Sequence, residues 1–247
     1  MYKKFINGKK VVCFDLDGTI VDNEGFYVEA FETVLEQANP ELMLSDVYGK
    51  TGESLYQKWE KIADANLIKN KMSAKDLADY TYKEYMKIVS EIEIEPREGF
   101  WQLAAYLKEK GLQLALTTNT DKNIAQFMLN KLQVQDAFDF MIFGDEVKHK
   151  KPDPEIYKAT AKHFKVKTNE MLVFEDSIAG AKAAADAGAS LIVIWDGQTL
   201  KSKYPDKTIV FTDDFDGFAY NMDLNGEEFL EEIQKAMPPL QNPQTQK

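Results

Sequence analysis

Val11-Val12-Cys13-Phe14-Asp15-Leu16-Asp17-Gly18-Thr19 is the stretch that decides the fold. An apolar run ends abruptly in two carboxylates two residues apart, then a glycine and a hydroxyl. A short continuous apolar run of this kind reads as a buried strand. Residues i and i+2 of a strand share a face, so Asp15 and Asp17 are expected to converge where the strand ends. Parallel sheets place their ligand sites at that end. Two like charges held close repel, and a divalent cation with oxygen ligands is the usual compensation. Gly18 lets the backbone turn and approach a ligand closely. The competing reading is a strand followed by an ordinary polar turn.

Outward from this segment, apolar runs recur at Leu112–Thr118, Phe140–Phe143, Met171–Glu175, Leu191–Trp195 and Ile209–Phe211. Helical spacing of apolar residues fills most gaps between them. Phe100 to Lys110 stops at Gly111, and a further helix is expected from about Asp121 to Leu132. Asp153-Pro154-Glu155 reads as a helix start, with Asp as cap and Pro in the first position. Ile178 to Ala187 ends at Gly188, as a left-handed C-terminal residue would require. Strands alternating with helices predict an α/β fold, a doubly wound parallel sheet of Rossmann-like type.

One interval breaks the alternation. Gly25 to Ala38, Glu53 to Ala65 and Ser73 to Glu91 are all helical in pattern, with no strand among them. Ser73-Ala74-Lys75-Asp76 resembles a capping box. The expected organisation is a Rossmann-like core of residues 1–22 and 97–237, an inserted α-helical cap domain of residues 23–96, and a disordered tail, 238–247. The aromatics of the insertion read mostly as its own core.

Composition excludes several classes. The 247 residues are 44% hydrophobic and 29% charged, an ordinary soluble balance. No apolar run approaches the ~18 residues of a membrane span, and the start lacks a secretory signal. Cys13 is the sole cysteine, so no intrachain disulfide forms, which fits a cytoplasmic location. The net charge of −11 argues against nucleic-acid binding, because phosphate backbones need a basic face. A small phosphorylated substrate is still compatible, since a metal and one or two lysines reverse the field locally. A monomer is expected.

Three later constellations also close apolar runs. Thr117-Thr118-Asn119-Thr120 suits either a phosphate oxyanion or an ordinary helix cap. Lys148-His149-Lys150-Lys151-Pro152 is either a solvated basic run or a charge source for a site. Glu175-Asp176-Ser177 repeats the electrostatic problem of Asp15 and Asp17, and one cation between the two acid pairs would answer both.

In this order, the four constellations resemble the haloacid dehalogenase-like hydrolase superfamily, in its phosphatase and phosphomutase branch with a helical cap after the first motif. The matching residues are Asp15-Leu16-Asp17-Gly18-Thr19 for DxDx[TV], Thr118 ending a strand, Lys151 before Pro152, and Glu175-Asp176-Ser177 before a small-residue helix. The resemblance implies a Mg²⁺-dependent phosphatase of small phosphorylated metabolites. Asp15 would attack phosphorus to give an aspartyl-phosphate. Asp17 would be the general acid and then base, its backbone carbonyl also facing the metal. Mg²⁺ would bridge Asp15, phosphate and Asp176, with Glu175 as a ligand or an outer partner. Thr118, Asn119 and Lys151 would hold phosphate oxygens, with Lys150 the fallback for Lys151. Gly18 and Thr19 join the substrate-binding group.

Departures from relatives narrow the class. Asp17 is absent in the dehalogenases, which argues against carbon–halogen cleavage. Tyr27 stands where β-phosphoglucomutases carry a histidine, and the loop Gly49 to Leu55 lacks their arginine. Lys50 in that loop is the expected substrate contact. The alternative activity is a sugar phosphomutase.

Overall fold

The computed structural model describes residues 3–47, 54–216 and 218. In chain order the elements are α1 Lys3–Ile6, β1 Val11–Phe14, α2 Glu24–Ala38, α3 Leu44–Val47, α4 Leu55–Asp64 and α5 Ala74–Glu91, then α6 Phe100–Glu109 and β2 Gln113–Thr117. There follow α7 Lys122–Leu132, β3 Phe140–Ile142, α8 Glu155–Phe164, β4 Met171–Glu175, α9 Ile178–Ala187, β5 Ser190–Ile194 and β6 Thr208–Thr212. The fold is α/β and Rossmann-like, with an inserted helical cap. The expected tail, 238–247, lies outside the described residues, as does most of the Gly49–Leu55 loop.

The strands form one six-stranded sheet in the order β3-β2-β1-β4-β5-β6, and every pairing is parallel. β1 lies between β2 and β4, with Phe14 level with Leu116 on one side and Phe174 on the other. The strand order reverses direction at β1, the place where an open α/β sheet leaves a crevice at its C-terminal edge.

Strand alternation sorts the core into two layers. Val12, Phe14, Leu114, Leu116, Leu172 and Phe174 face one layer, with α6 and α7. Val11, Cys13, Ala115, Met171 and Val173 face the other, with α8 and α9. Burial pushes the Cys13 thiol well up, which makes it a packed side chain and no nucleophile. In the first layer Phe14 stacks on Phe174 at 5.0 Å between centroids. Phe100 and Phe215 meet Phe14 edge-on, each at 5.7 Å.

The cap helices have their own cluster, in which Phe31, Leu35, Leu55, Trp59, Ile62 and Leu77 pack together. The Trp59 indole donates to Thr81 Oγ1 at 2.9 Å. The Ser73 capping box forms as expected, closed by Asp76. Tyr85 and Val89 of α5 instead join the sheet-side cluster, so α5 is where the cap seats on the core.

Two chain segments join cap and sheet, and Arg97 ties them together. Its backbone N–H donates to the Ile20 carbonyl at 2.7 Å. Its guanidinium donates to the Gly18 carbonyl at 3.0 and 3.1 Å and pairs with Asp22.

One helix start differs from expectation. Asp153 does not cap α8; Pro154 holds that position and the helix begins at Glu155. Asp153 Oδ1 accepts from the Glu155 N–H at 2.9 Å, and the Glu155 carboxylate turns back to accept from the N–H groups of Lys148 and His149. That local bonding moves the start by one residue.

Phe215, beyond the last strand, is 1% exposed and closes the aromatic layer. Phe215→Ala should lower stability by about 3–5 kcal/mol, the range for emptying a buried aromatic site. Urea unfolding followed by tryptophan fluorescence checks this, and a loss under about 1 kcal/mol would remove Phe215 from the core.

Candidate active site

Four acids gather at the ends of β1 and β4. Lys151 reaches them from the loop before α8. Its ammonium donates to Asp15 Oδ1 at 2.7 Å, to Glu175 Oε1 at 2.5 Å and to the Thr117 carbonyl at 2.7 Å. An ammonium has three protons to give, and all three are used. The side chain is 2% exposed. Burial alone would push the lysine down, but Asp15 and Glu175 outweigh it and hold Lys151 well above the ordinary lysine range.

One ammonium does not balance four acids. Burial raises Asp15 well above the usual carboxylate range; Lys151 opposes this, while Glu175, Asp176 and Asp17 add to it. Asp176 is raised too, by burial and then by Glu175. The surplus is anionic and its atoms are all oxygen, which is the chemistry a hard divalent cation requires. Asp15, Glu175 and Asp176 can each bring one oxygen within 4.8 Å of the others.

These three acids are not equivalent. Glu175 Oε1 also accepts from the Tyr157 hydroxyl at 3.3 Å. Its Oε2 accepts from the N–H groups of Asp176 and Ser177, each at 3.1 Å, and from the Ser177 hydroxyl at 3.0 Å. Both oxygens of Glu175 are thus spent on protein donors, although it stands within reach of a shared cation. A Cβ at residue 180 would overlap this carboxylate, so Gly180 makes its space. Asp15 and Asp176 keep the less committed oxygens.

Asp176 is held from several sides. Thr19 Oγ1 donates to its Oδ1 at 2.9 Å, and the Tyr204 hydroxyl donates to its backbone carbonyl at 2.7 Å. Gly18, at φ +80°, lies so close that a Cβ there would overlap the Asp176 carboxylate. The Gly18 N–H is taken by the Val21 carbonyl and Asn23 Oδ1. Gly18 and Thr19, expected among the substrate contacts, therefore stand behind Asp176, and neither lines the cavity.

Asp17 is held apart from the three-acid cluster. Its Oδ2 accepts from the Thr120 hydroxyl at 2.6 Å. Its Oδ1 accepts from the Asn23 side-chain amide at 2.6 Å and the Tyr27 hydroxyl at 3.3 Å. The strand ends at Phe14, so the expected convergence of Asp15 and Asp17 on one strand face gives way to a turn that aims Asp17 at the cap. Its carboxylate lies outside the cluster of Asp15, Glu175 and Asp176.

Thr118 and Asn119 follow β2 as expected. The Thr118 N–H is bonded to Ile142, and its hydroxyl oxygen accepts from the Thr120 N–H. The Asn119 side chain both donates to the Lys151 carbonyl at 3.1 Å and accepts from the Lys151 N–H at 2.8 Å. Asn119 thus fixes the lysine loop, and it also lines the cavity. Lys150, the fallback, pairs with Asp121 instead. Lys50 lies outside the described residues.

Asn23, Tyr157 and Tyr204 are the residues sequence reasoning passed over, and Tyr27 and Thr120 were noted without their role of holding Asp17. Thr120 carried a signal, since it lies two residues past Thr118. Tyr157 and Tyr204 carried none, because only the folded chain brings them to Glu175 and Asp176.

A cavity of ≈ 510 Å³ opens over this constellation. Its floor is Asp15, Asp17, Thr118, Lys151 and Asp176. Its roof comes from the cap, through Tyr27, Ser54, Gln57, Lys58 and Tyr82. The size suits a small metabolite.

A family model described as haloacid dehalogenase-like hydrolase matches residues 12–194. The chain is 32% identical over 191 residues to the phosphorylated carbohydrates phosphatase of Thermotoga maritima, covering 74% of this chain and 83% of that one. It is 29% identical to the 6-phosphogluconate phosphatase of Escherichia coli, over 72% and 79% of the two chains. Among solved structures, it is similar to a putative beta-phosphoglucomutase from Thermotoga maritima. There the TM-score is 0.69 and the identity 26%, over 91% of this chain and 99% of the other.

The raised carboxyls set a pH dependence. Their favourable contribution is complete below the ordinary carboxylate range and is lost as pH rises through the raised folded values. A cation that replaces those protons should therefore stabilise the protein more at about pH 8 than at about pH 5.5. Asp176→Asn should raise the melting temperature of the metal-free protein by roughly 2–4 °C, equivalent to about 1 kcal/mol, and cancel the shift caused by Mg²⁺. Thermal melts with and without Mg²⁺ measure both. A metal-free Asp176→Asn protein that melts lower, with the Mg²⁺ shift intact, would contradict the charge surplus.

Proposed function

This chain belongs to the haloacid dehalogenase-like hydrolase family and is a phosphoric monoester hydrolase; from that premise we propose that it is a Mg²⁺-dependent phosphatase of small phosphorylated metabolites that works through an aspartyl-phosphate. The observation that carries the reading is the Asp15–Lys151 contact on the floor of the cavity. Lys151 occupies Oδ1 of Asp15 and leaves Oδ2 as the attacking oxygen. A buried carboxylate oriented by one oxygen is a nucleophile already in its reactive geometry.

Asp17 then serves the other side of the phosphorus. Thr120 and Asn23 fix its carboxylate between floor and roof, where the leaving oxygen would lie. There it gives a proton to the departing alcohol and later takes one from the water that attacks the phospho-aspartate. The Thr118 hydroxyl meets a non-bridging oxygen, while Lys151 supplies positive charge directly behind the nucleophile. Asp15 and Asp176 would hold Mg²⁺, with Glu175 as the outer support that also locks Lys151. When bound, the ion neutralises the charge of the phosphoryl oxygens. The core of residues 1–22 and 97–237 carries these groups, and the cap of residues 23–96 closes over them and excludes water.

The names of the relatives favour phosphorylated carbohydrates and sugar acids as the substrate class. The mutase reading draws on the structural neighbour described as a putative beta-phosphoglucomutase. It is weakened by Tyr27, which reaches Asp17 where those enzymes carry histidine.

Asp15→Asn should leave the fold intact and lower phosphate release by roughly 10⁴-fold or more, the scale for losing a nucleophile from a cooperating set. Phosphate release from a panel of phosphomonoesters, alongside a thermal melt, is the measurement. Near-native turnover by Asp15→Asn would end the nucleophile assignment. Release of free phosphate from a sugar 1-phosphate supports hydrolysis, whereas a sugar 6-phosphate product would make the enzyme a mutase.

A further inference from the structure

Arg97 reaches past the cap's two ends to the turn that follows β1. That turn, residues 16–21, is closed partly by bonds within itself. The N–H groups of Ile20 and Val21 donate to the Leu16 carbonyl, and that of Gly18 donates to the Val21 carbonyl. Two of its carbonyls, those of Gly18 and Ile20, are taken by Arg97. The Gly18 carbonyl accepts from both Nε and Nη2 of the guanidinium, at 3.1 and 3.0 Å. The Ile20 carbonyl accepts from the Arg97 backbone N–H at 2.7 Å. Bonds from an ionised donor are the stronger kind, and a planar fork fixes direction as well as distance.

The base of this arm is rigid. The Arg97 carbonyl accepts from the Phe100 N–H at 3.1 Å, and the Glu98 carbonyl accepts from the Phe215 N–H at 3.0 Å. Gly99, at φ +80°, lies so close to the backbone of Phe215 and Asp216 that a Cβ would overlap it. Phe100 and Phe215 both pack against Phe14. Arg97 is therefore mounted on the sheet's own aromatic layer.

The other side of the turn faces an acid of the metal cluster. A Cβ on Gly18 would overlap the Asp176 carboxylate, and Thr19 Oγ1 donates to Asp176 Oδ1 at 2.9 Å. The carbonyl that Arg97 grips belongs to the peptide group joining Gly18 to Thr19. Fixing that peptide fixes both contacts on Asp176.

We propose that Arg97 is a positioning residue for metal binding, which acts through the Gly18-Thr19 peptide to hold the Asp176 carboxylate in the orientation that receives Mg²⁺. The proposal rests on the Mg²⁺ reading of the acid cluster and adds to it a residue outside that cluster. Groups that orient a metal ligand from behind carry about 10–100-fold of metal affinity. The sign of the effect is diagnostic. Removing a positive charge near an anionic site would by itself tighten the binding of a cation, so a weakening reports lost geometry.

Titration calorimetry of Mg²⁺ into the substrate-free protein gives the test, with thermal melts alongside. Arg97→Met should raise the Mg²⁺ dissociation constant about tenfold or more. Arg97→Lys keeps the charge without the fork and should fall between wild type and Arg97→Met. Thr19→Val removes the hydroxyl from Asp176 and should also weaken binding. Because both side chains act through one peptide, the double variant should lose less than the product of the separate losses. Asp22→Asn breaks only the ion pair on the exposed side of Arg97 and should leave Mg²⁺ affinity unchanged. An Arg97→Met protein that melts lower yet binds Mg²⁺ as wild type does would make the arginine a clasp of the linkers and overturn the proposal. Fully multiplicative losses, or an equal loss from Asp22→Asn, would overturn it too. If Arg97→Met does not fold, wild-type affinity in Arg97→Lys overturns it instead. A wild type that takes up no Mg²⁺ would end the metal reading itself, and the proposal with it.

Discussion

The ammonium of Lys151 is the interaction on which the site depends. It sits beside the cluster of Asp15, Glu175 and Asp176 and is bonded to Asp15, Glu175 and the Thr117 carbonyl. Those three partners come from β1, β4 and β2, so a single charge joins the ends of three adjacent strands. Desolvating such a group is costly, and only full pairing offsets it. The surroundings supply that pairing and hold it in place. Asn119 grips the backbone of Lys151 from both directions, and Glu175 is itself fixed by Tyr157, Ser177 and two backbone N–H groups.

The sheet makes this geometry repeatable. β1 is buried on both faces, and its alternate residues feed two different layers. A slip of one residue would exchange those layers and turn Asp15 away from Lys151. The stack of Phe14 on Phe174 sets β1 against β4 one residue before the two key acids. Packing in the core and charge in the site are therefore specified by consecutive residues of the same strands. Arg97 extends the order to the cap, since it binds the turn that presses Gly18 against Asp176.

Much of this was legible in the sequence. Short apolar runs ending in acids, hydroxyls or lysine located six strands and the edge at which the site forms, because strand burial and strand exit leave a local signature. Asp176 could be named from its place after such a run, and Lys151 from the family resemblance, which singles out the lysine before Pro152. What escaped was everything set by tertiary approach. Thr19 reads as a motif hydroxyl facing substrate, yet it supports Asp176. Asn119 reads as a phosphate ligand, and its second task of holding the Lys151 loop appears only in the folded chain. The direction of Asp17 depended on where β1 ends, and strand ends are the least determined part of a sequence reading.

In the proposed reaction Asp15 itself bonds to phosphorus. The most direct measurement is acid quenching of an Asp17→Asn protein mixed with Mg²⁺ and p-nitrophenyl phosphate, whose leaving group departs without a general acid, followed by mass spectrometry of its peptides. Without the Asp17 carboxylate to activate water, the covalent intermediate should persist. The predicted result is the mass of one phosphoryl group on the peptide carrying Asp15, absent when Asp15 is also asparagine. A phosphoryl group on another residue, or turnover with no adduct at any quench time, would contradict it.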